Sequence, residues 1–133
     1  MTDLAQHGLT HRAAEIECLG CYRNFKTYGG MIIHLESGAC ESDIDYLDLN
    51  SSAAECYSWA QFIHTDYRDD MLASCDLKRM YQGTVFPYKC PDCDSGFPKL
   101  SSLFQHVDSS ACDQTLNEGA IGHLSRFLLS RYG

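Results

Sequence analysis

Six of the eight cysteines in this 133-residue chain, and two of its six histidines, fall into one repeated frame. The first copy holds Cys18, Cys21, His34 and Cys40; adding 72 to each number gives Cys90, Cys93, His106 and Cys112. Three thiolates and an imidazole are a donor set that Zn2+ takes in closed, four-coordinate structural sites, with sulfur at about 2.3 Å. Two cysteines separated by two residues can turn both sulfurs onto one ion from the knuckle of a hairpin. Twelve residues then separate Cys21 from His34, enough to finish the hairpin and begin a helix. With every coordination position taken by protein, none is left for a reacting water, so the metal is expected to be structural. Two Zn2+ per chain are expected.

Other positions repeat with the ligands. Phe25 maps onto Phe97, Met31 onto Leu103, Ile16 onto Tyr88 and Ala39 onto Ala111. Met31 to His34, like Leu103 to His106, is an i to i+3 step, which puts the apolar residue and the ligand on one helical face. Each phenylalanine is expected to cap a small core against that face, and Ser37-Gly38 or Ser109-Ser110 to loosen the helix before the last cysteine. The frame C-x2-C-x3-F-x5-[ML]-x2-H-x5-C resembles the ββα zinc finger, in the variant whose fourth ligand is cysteine. The likeness spans residues 18–40 and 90–112. The acidic spacer and the HLESGAC ending also resemble those of uncharacterised fungal zinc-finger proteins. Units this small bury too little apolar surface to fold alone, and structural zinc adds roughly 10–16 kcal/mol of apparent binding free energy.

The segment joining the two frames has its own helical pattern. Ser52-Ala53-Ala54-Glu55 fits a capping box, and Cys56, Trp59, Ala60, Ile63, Tyr67 and Met71 follow as one apolar stripe. Lys78 and Arg79 suit a helix end before Gly83. A second capping box, Thr115 to Glu118, opens a C-terminal helix with Ile121, Leu124, Phe127, Leu128 and Tyr132 on one face. After the first frame, Ile44, Leu47 and Leu49 predict helix as well, so each finger is followed by one. The expected fold is mainly α with small β-hairpins: two ββα zinc fingers joined and followed by amphipathic helices in one compact body. The boundaries are a disordered N-terminus at 1–14, finger one at 15–41, an acidic helical insert at 42–83, finger two at 86–113 and a C-terminal helix at 114–133.

Charge and targeting narrow the function. The chain carries −8 with histidine neutral, and residues 41–83 hold nine acids against Arg68, Lys78 and Arg79. That balance disfavours nucleic acid and could steer a basic protein partner. Phe127-Leu128-Leu129 is far too short to span a bilayer, and the first residues carry acids without an apolar core, so neither a membrane nor a secretory route is expected. An intracellular location, nucleus or cytoplasm, fits thiols used as ligands.

In fingers that read DNA, three helix positions point at bases: one before the helix start, the third and the sixth. Here they are Thr27, Gly30 and Ile33, then Lys99, Ser102 and Gln105. Gly30 and Ile33 read bases poorly, whereas Lys99 and Gln105 can contact guanine and adenine edges. Tyr22, Tyr28 and Phe104 would serve RNA if exposed. Ile33, Gly30, Lys99, Ser102 and Gln105 are the candidate partner contacts. Gly29, Gly30 and Ile33 make a flat helix face that either meets a partner or packs on the middle helix.

An enzyme is not expected, nor a small-molecule substrate. His34-Leu35-Glu36 and Cys90-Pro91-Asp92-Cys93 echo the zinc-deaminase signature, but the repeat assigns His34 and Cys90 to different sites. Cys56, His64 and Cys75 could supply a third metal site or a nucleophile, although Cys56 on the apolar stripe reads as a buried structural thiol. The expected function is a zinc-binding, non-enzymatic regulatory or adaptor protein that works through a protein partner or self-association. The alternative is a DNA- or RNA-binding regulator.

Overall fold

A short antiparallel hairpin opens each copy of the frame. β1 (Ile16–Glu17) pairs with β2 (Asn24–Phe25), and β3 (Tyr88–Lys89) pairs with β4 (Gly96–Phe97). The registers Ile16 opposite Phe25 and Tyr88 opposite Phe97 are the same pairing seen twice. A nine-residue helix follows each hairpin, α1 (Tyr28–Glu36) and α5 (Leu100–Asp108). This computed structural model describes residues 16–109, 115–116 and 118–132; the expected disorder at 1–14 lies outside them, as do Cys112 and Asn117.

Between the two units run α2 (Tyr46–Glu55), a single 3-10 turn (Trp59–Gln61), α3 (Thr65–Leu72) and α4 (Leu77–Met80). This corrects the single helix expected from Ser52 onward. The N-cap is Asp45, whose carboxylate accepts from the Leu47 and Asp48 amides, while Asp48 accepts from the Asp45 amide at 3.1 Å. Ser52 sits buried in mid-helix, its hydroxyl bonded to that of Tyr132. At Cys56 the backbone turns extended, with φ −62° and ψ 137°.

The cause of the break lies in the second unit. Residues 62–64 are drawn alongside β3: the Lys89 amide donates to the Phe62 carbonyl at 2.9 Å, and the His64 amide donates to the Pro87 carbonyl at 2.8 Å. Ile63 bridges Tyr88. Most of the expected stripe is nonetheless inside. Cys56, Ile63 and Met71 are buried and Trp59 and Tyr67 half-buried, while Ala60 is exposed. The burial demand was legible, and broken helix satisfied it.

α6 (Gly119–Tyr132) closes the body, burying Ile121, Leu124 and Leu128. Its entry carries a hydrogen bond from the Thr115 hydroxyl to Glu118 at 3.0 Å. His123 Nδ1 lies 2.7 Å from the buried Ser58 hydroxyl oxygen, and Arg131 pairs with Glu55 at 2.9 Å. One core thus unites both ββα units, the insert and the last helix. Among the described residues no helix is long and apolar enough to cross a membrane.

Candidate metal centres

The Cys18-to-Cys21 knuckle is held by the Cys18 amide, which donates to the Arg23 carbonyl at 2.8 Å. Its counterpart runs from the Cys90 amide to the Ser95 carbonyl at 3.0 Å. Asp94 turns the second knuckle in the left-handed region, at φ 61°. α1 then brings His34 back over the hairpin, ending at Ser37 before Gly38 swings to φ 77° and returns the chain at Cys40. The helix therefore loosens where the serine and glycine predict. Ser37 and Ser109 each donate to the histidine carbonyl three residues earlier, at 2.7 Å.

In the first cluster the donor atoms of Cys18, Cys21, His34 and Cys40 all lie within 4.8 Å of one another. Cys18 Sγ and Cys40 Sγ are 3.7 Å apart, and Cys21 Sγ stands 3.6 Å from His34 Nε2. A tetrahedral zinc site with ordinary bond lengths requires about 3.8 Å between two sulfurs and about 3.6 Å between sulfur and nitrogen. Both separations fit one ion.

The second cluster gathers Cys90, Cys93 and His106 within the same 4.8 Å limit, with Cys93 Sγ 3.4 Å from His106 Nε2. Phe25 lies against the His34 ring at a centroid distance of 5.1 Å, and Phe97 against His106 at 5.0 Å. Each phenylalanine thus fixes the plane of a metal-facing imidazole.

Residues 88–109 match the family model for the zinc finger, C2H2 type. This match spans β3, β4 and α5 of the second unit and stops before Cys112; the first unit lies outside it and repeats its frame and strand register. The family is generally non-enzymatic. The two clusters and the matched zinc finger together support two zinc ions per chain. No curated protein and no solved structure matches the chain, so nothing extends the likeness to fungal proteins.

Local hydrogen bonds prepare the sulfurs differently. Burial pushes the Cys18 thiol up to about 11. Burial also acts on Cys40, but contacts from Ser42, whose hydroxyl donates to the sulfur at 3.2 Å, outweigh it and lower the pKa. Cys93 is exposed and drawn down to about 6, chiefly by Ser95, whose Oγ lies 3.2 Å away.

Cys56, His64 and Cys75 form no such cluster among the described residues. Cys56 is fully buried, and burial raises its thiol pKa. The deaminase echo also dissolves, because His34 meets Cys21 while Cys90 groups with His106.

The candidate contact residues divide. Ile33 is 44% exposed, and Lys99 and Gln105 are exposed. Gly30 and Ser102 are half-buried. Gly29 is buried, and a methyl there would meet Gln105 Cγ at 2.8 Å, so the close neighbour of Gly29 is α5 and not the middle helix, whereas a methyl at Gly30 would meet Thr27. Tyr28 and Phe104 are core residues, stacked at 4.5 Å, which removes them as base platforms; Tyr22 is 89% exposed.

Sequence reasoning missed Glu36 and Asp108. The Gly29 amide donates to Asp108 at 3.2 Å, and the Ser101 amide donates to Glu36 at 2.9 Å. Their signal was an acid recurring two residues after the histidine in both copies.

Proposed function

We propose that the chain is a zinc-held, non-enzymatic regulatory or adaptor module that acts by binding a protein partner or a second copy of itself. One ion is held by Cys18, Cys21, His34 and Cys40, and the other by Cys90, Cys93, His106 and Cys112. The units occupy 15–41 and 86–113, with 42–83 as insert and 114–133 as closing helix. With four protein ligands each, the ions serve folding and leave no open position for substrate. Reduced thiols suit the nucleus or cytoplasm.

The observation that carries this reading is the direction of the two helices. Contacts from Gly29 to Asp108 and from Ser101 to Glu36 set the start of each helix beside the end of the other. α1 and α5 are therefore antiparallel. Fingers that read DNA in series follow one groove, each helix entering it in the same sense. Here Thr27, Gly30 and Ile33 run against the direction of Lys99, Ser102 and Gln105, so the two sets cannot read successive bases along one strand. The net charge of −8 adds repulsion from phosphate. Ile33 and Gln105, related by the repeat and both exposed, are the first partner contacts to test.

A nucleic-acid role has one observation in its favour, the exposure of Lys99 and Gln105 on α5. Fluorescence anisotropy of the zinc-loaded protein against pooled random DNA and RNA, across a salt series, separates the readings. The protein-partner reading expects no binding even at low salt. Binding that weakens steeply with salt would replace it with phosphate contact.

A further inference from the structure

Adding 72 to Glu36 gives Asp108, and adding 72 to Gly29 gives Ser101. The two hydrogen bonds across the seam are therefore one interaction made twice. Amides in the first turn of a helix have no partner within it, and a carboxylate there is also favoured by the helix dipole. Each unit supplies that carboxylate to the other. Beneath the caps, Tyr28, Ile32, Leu100 and Phe104 are buried together in the shared core.

The position of the acids links this exchange to the metal. His34 stands two residues before Glu36 on α1, and His106 two residues before Asp108 on α5. A helix ordered through its own histidine thus presents the acid that caps the helix carrying the other histidine.

We propose that the two zinc sites load cooperatively, with Glu36 and Asp108 as the positioning residues that couple them. The inference rests on the two-zinc reading above. Ordering one unit completes the surface on which the other folds, so the second ion meets a helix already capped and supported. The chain then passes between metal-free and fully loaded forms with little of the one-zinc form between.

Native mass spectrometry of the full-length, metal-free protein titrated with Zn2+ tests this by counting the three species. For independent sites, equal or unequal, the one-zinc form makes up at least about half of the chains at half-saturation, whereas tenfold coupling between sites of equal intrinsic affinity lowers it to about a quarter. The expected native share is about a quarter. Glu36→Ala with Asp108→Ala should raise it toward half while two ions still bind. Glu36→Gln with Asp108→Asn keeps an oxygen able to accept each amide proton and should restore much of the coupling. A role confined to general stability would weaken both binding steps alike and leave the share unmoved. Should the alanine pair not fold, Asp108→Ala alone cuts one link and should raise the share by a smaller step. A share that the alanine pair leaves unchanged overturns the coupling. A final content other than two zinc ions overturns the reading beneath it.

Discussion

The Tyr88 hydroxyl donates to Asn50 Oδ1 at 2.6 Å, joining the second hairpin to the middle of α2. Both residues are buried, and burial holds the Tyr88 pKa well above its ordinary value, so the phenol stays a donor. This bond shows why residues between the units are no tether: they supply a polar partner to the interior of the second.

Tyr28 makes the opposite case. Its hydroxyl is buried without a hydrogen-bond partner among the described residues. Tyr88→Phe should cost about 1–3 kcal/mol by stranding the Asn50 side chain, whereas Tyr28→Phe should be neutral or stabilise by about 1 kcal/mol. Urea denaturation of the zinc-loaded variants measures both, and equal signs would contradict the hydrogen-bond assignment.

Gly29 tests the seam. An added methyl would stand 2.8 Å from Gln105 Cγ and 3.2 Å from the Gln105 amide nitrogen. Gly29→Ala should therefore destabilise by about 1–3 kcal/mol despite the better helix propensity of alanine. A methyl added at Gly30 would meet the Thr27 hydroxyl oxygen at 3.1 Å and no atom of α5 among the described residues, so Gly30→Ala should cost less. The same denaturation experiment compares them, and an equal or larger loss at Gly30 would place the close approach elsewhere.

Asp45 tests the start of α2. Asp45→Ala should lower stability by about 1 kcal/mol through loss of the N-cap. Amide hydrogen exchange should report that loss at Leu47 and Asp48, the amides Asp45 accepts from. Unchanged protection at those two amides would contradict the cap.

The metal assignments divide His106 from Cys56. His106→Ala should remove one of two zinc ions and lower helical content. Cys56→Ala should retain both and lose on the order of 1–2 kcal/mol through the cavity left in the core. Native mass spectrometry with circular dichroism reads both effects. A lost ion in Cys56→Ala would return that thiol to a metal site.

What the sequence determined by itself is the local unit: ligand spacing, the phenylalanine beside each histidine, the hairpin and the helix. These follow from contacts within about two dozen residues, where ligand geometry and helix period leave little freedom. The stripe from Cys56 to Met71 announced burial, but not the backbone that would achieve it. That was decided in three dimensions, when Phe62 and His64 bonded alongside β3 and left no continuous helix between them. Ser52-x-x-Glu55 competed with Asp45-x-x-Asp48 for the same cap, and the earlier pair won, with Ser52 left inside the helix and bonded to Tyr132. The antiparallel seam was likewise tertiary. Glu36 and Asp108 carry their repeat openly, yet which amides they cap depends on α1 and α5 meeting across 72 residues of chain, and periodicity along one helix holds no information about the direction of the next.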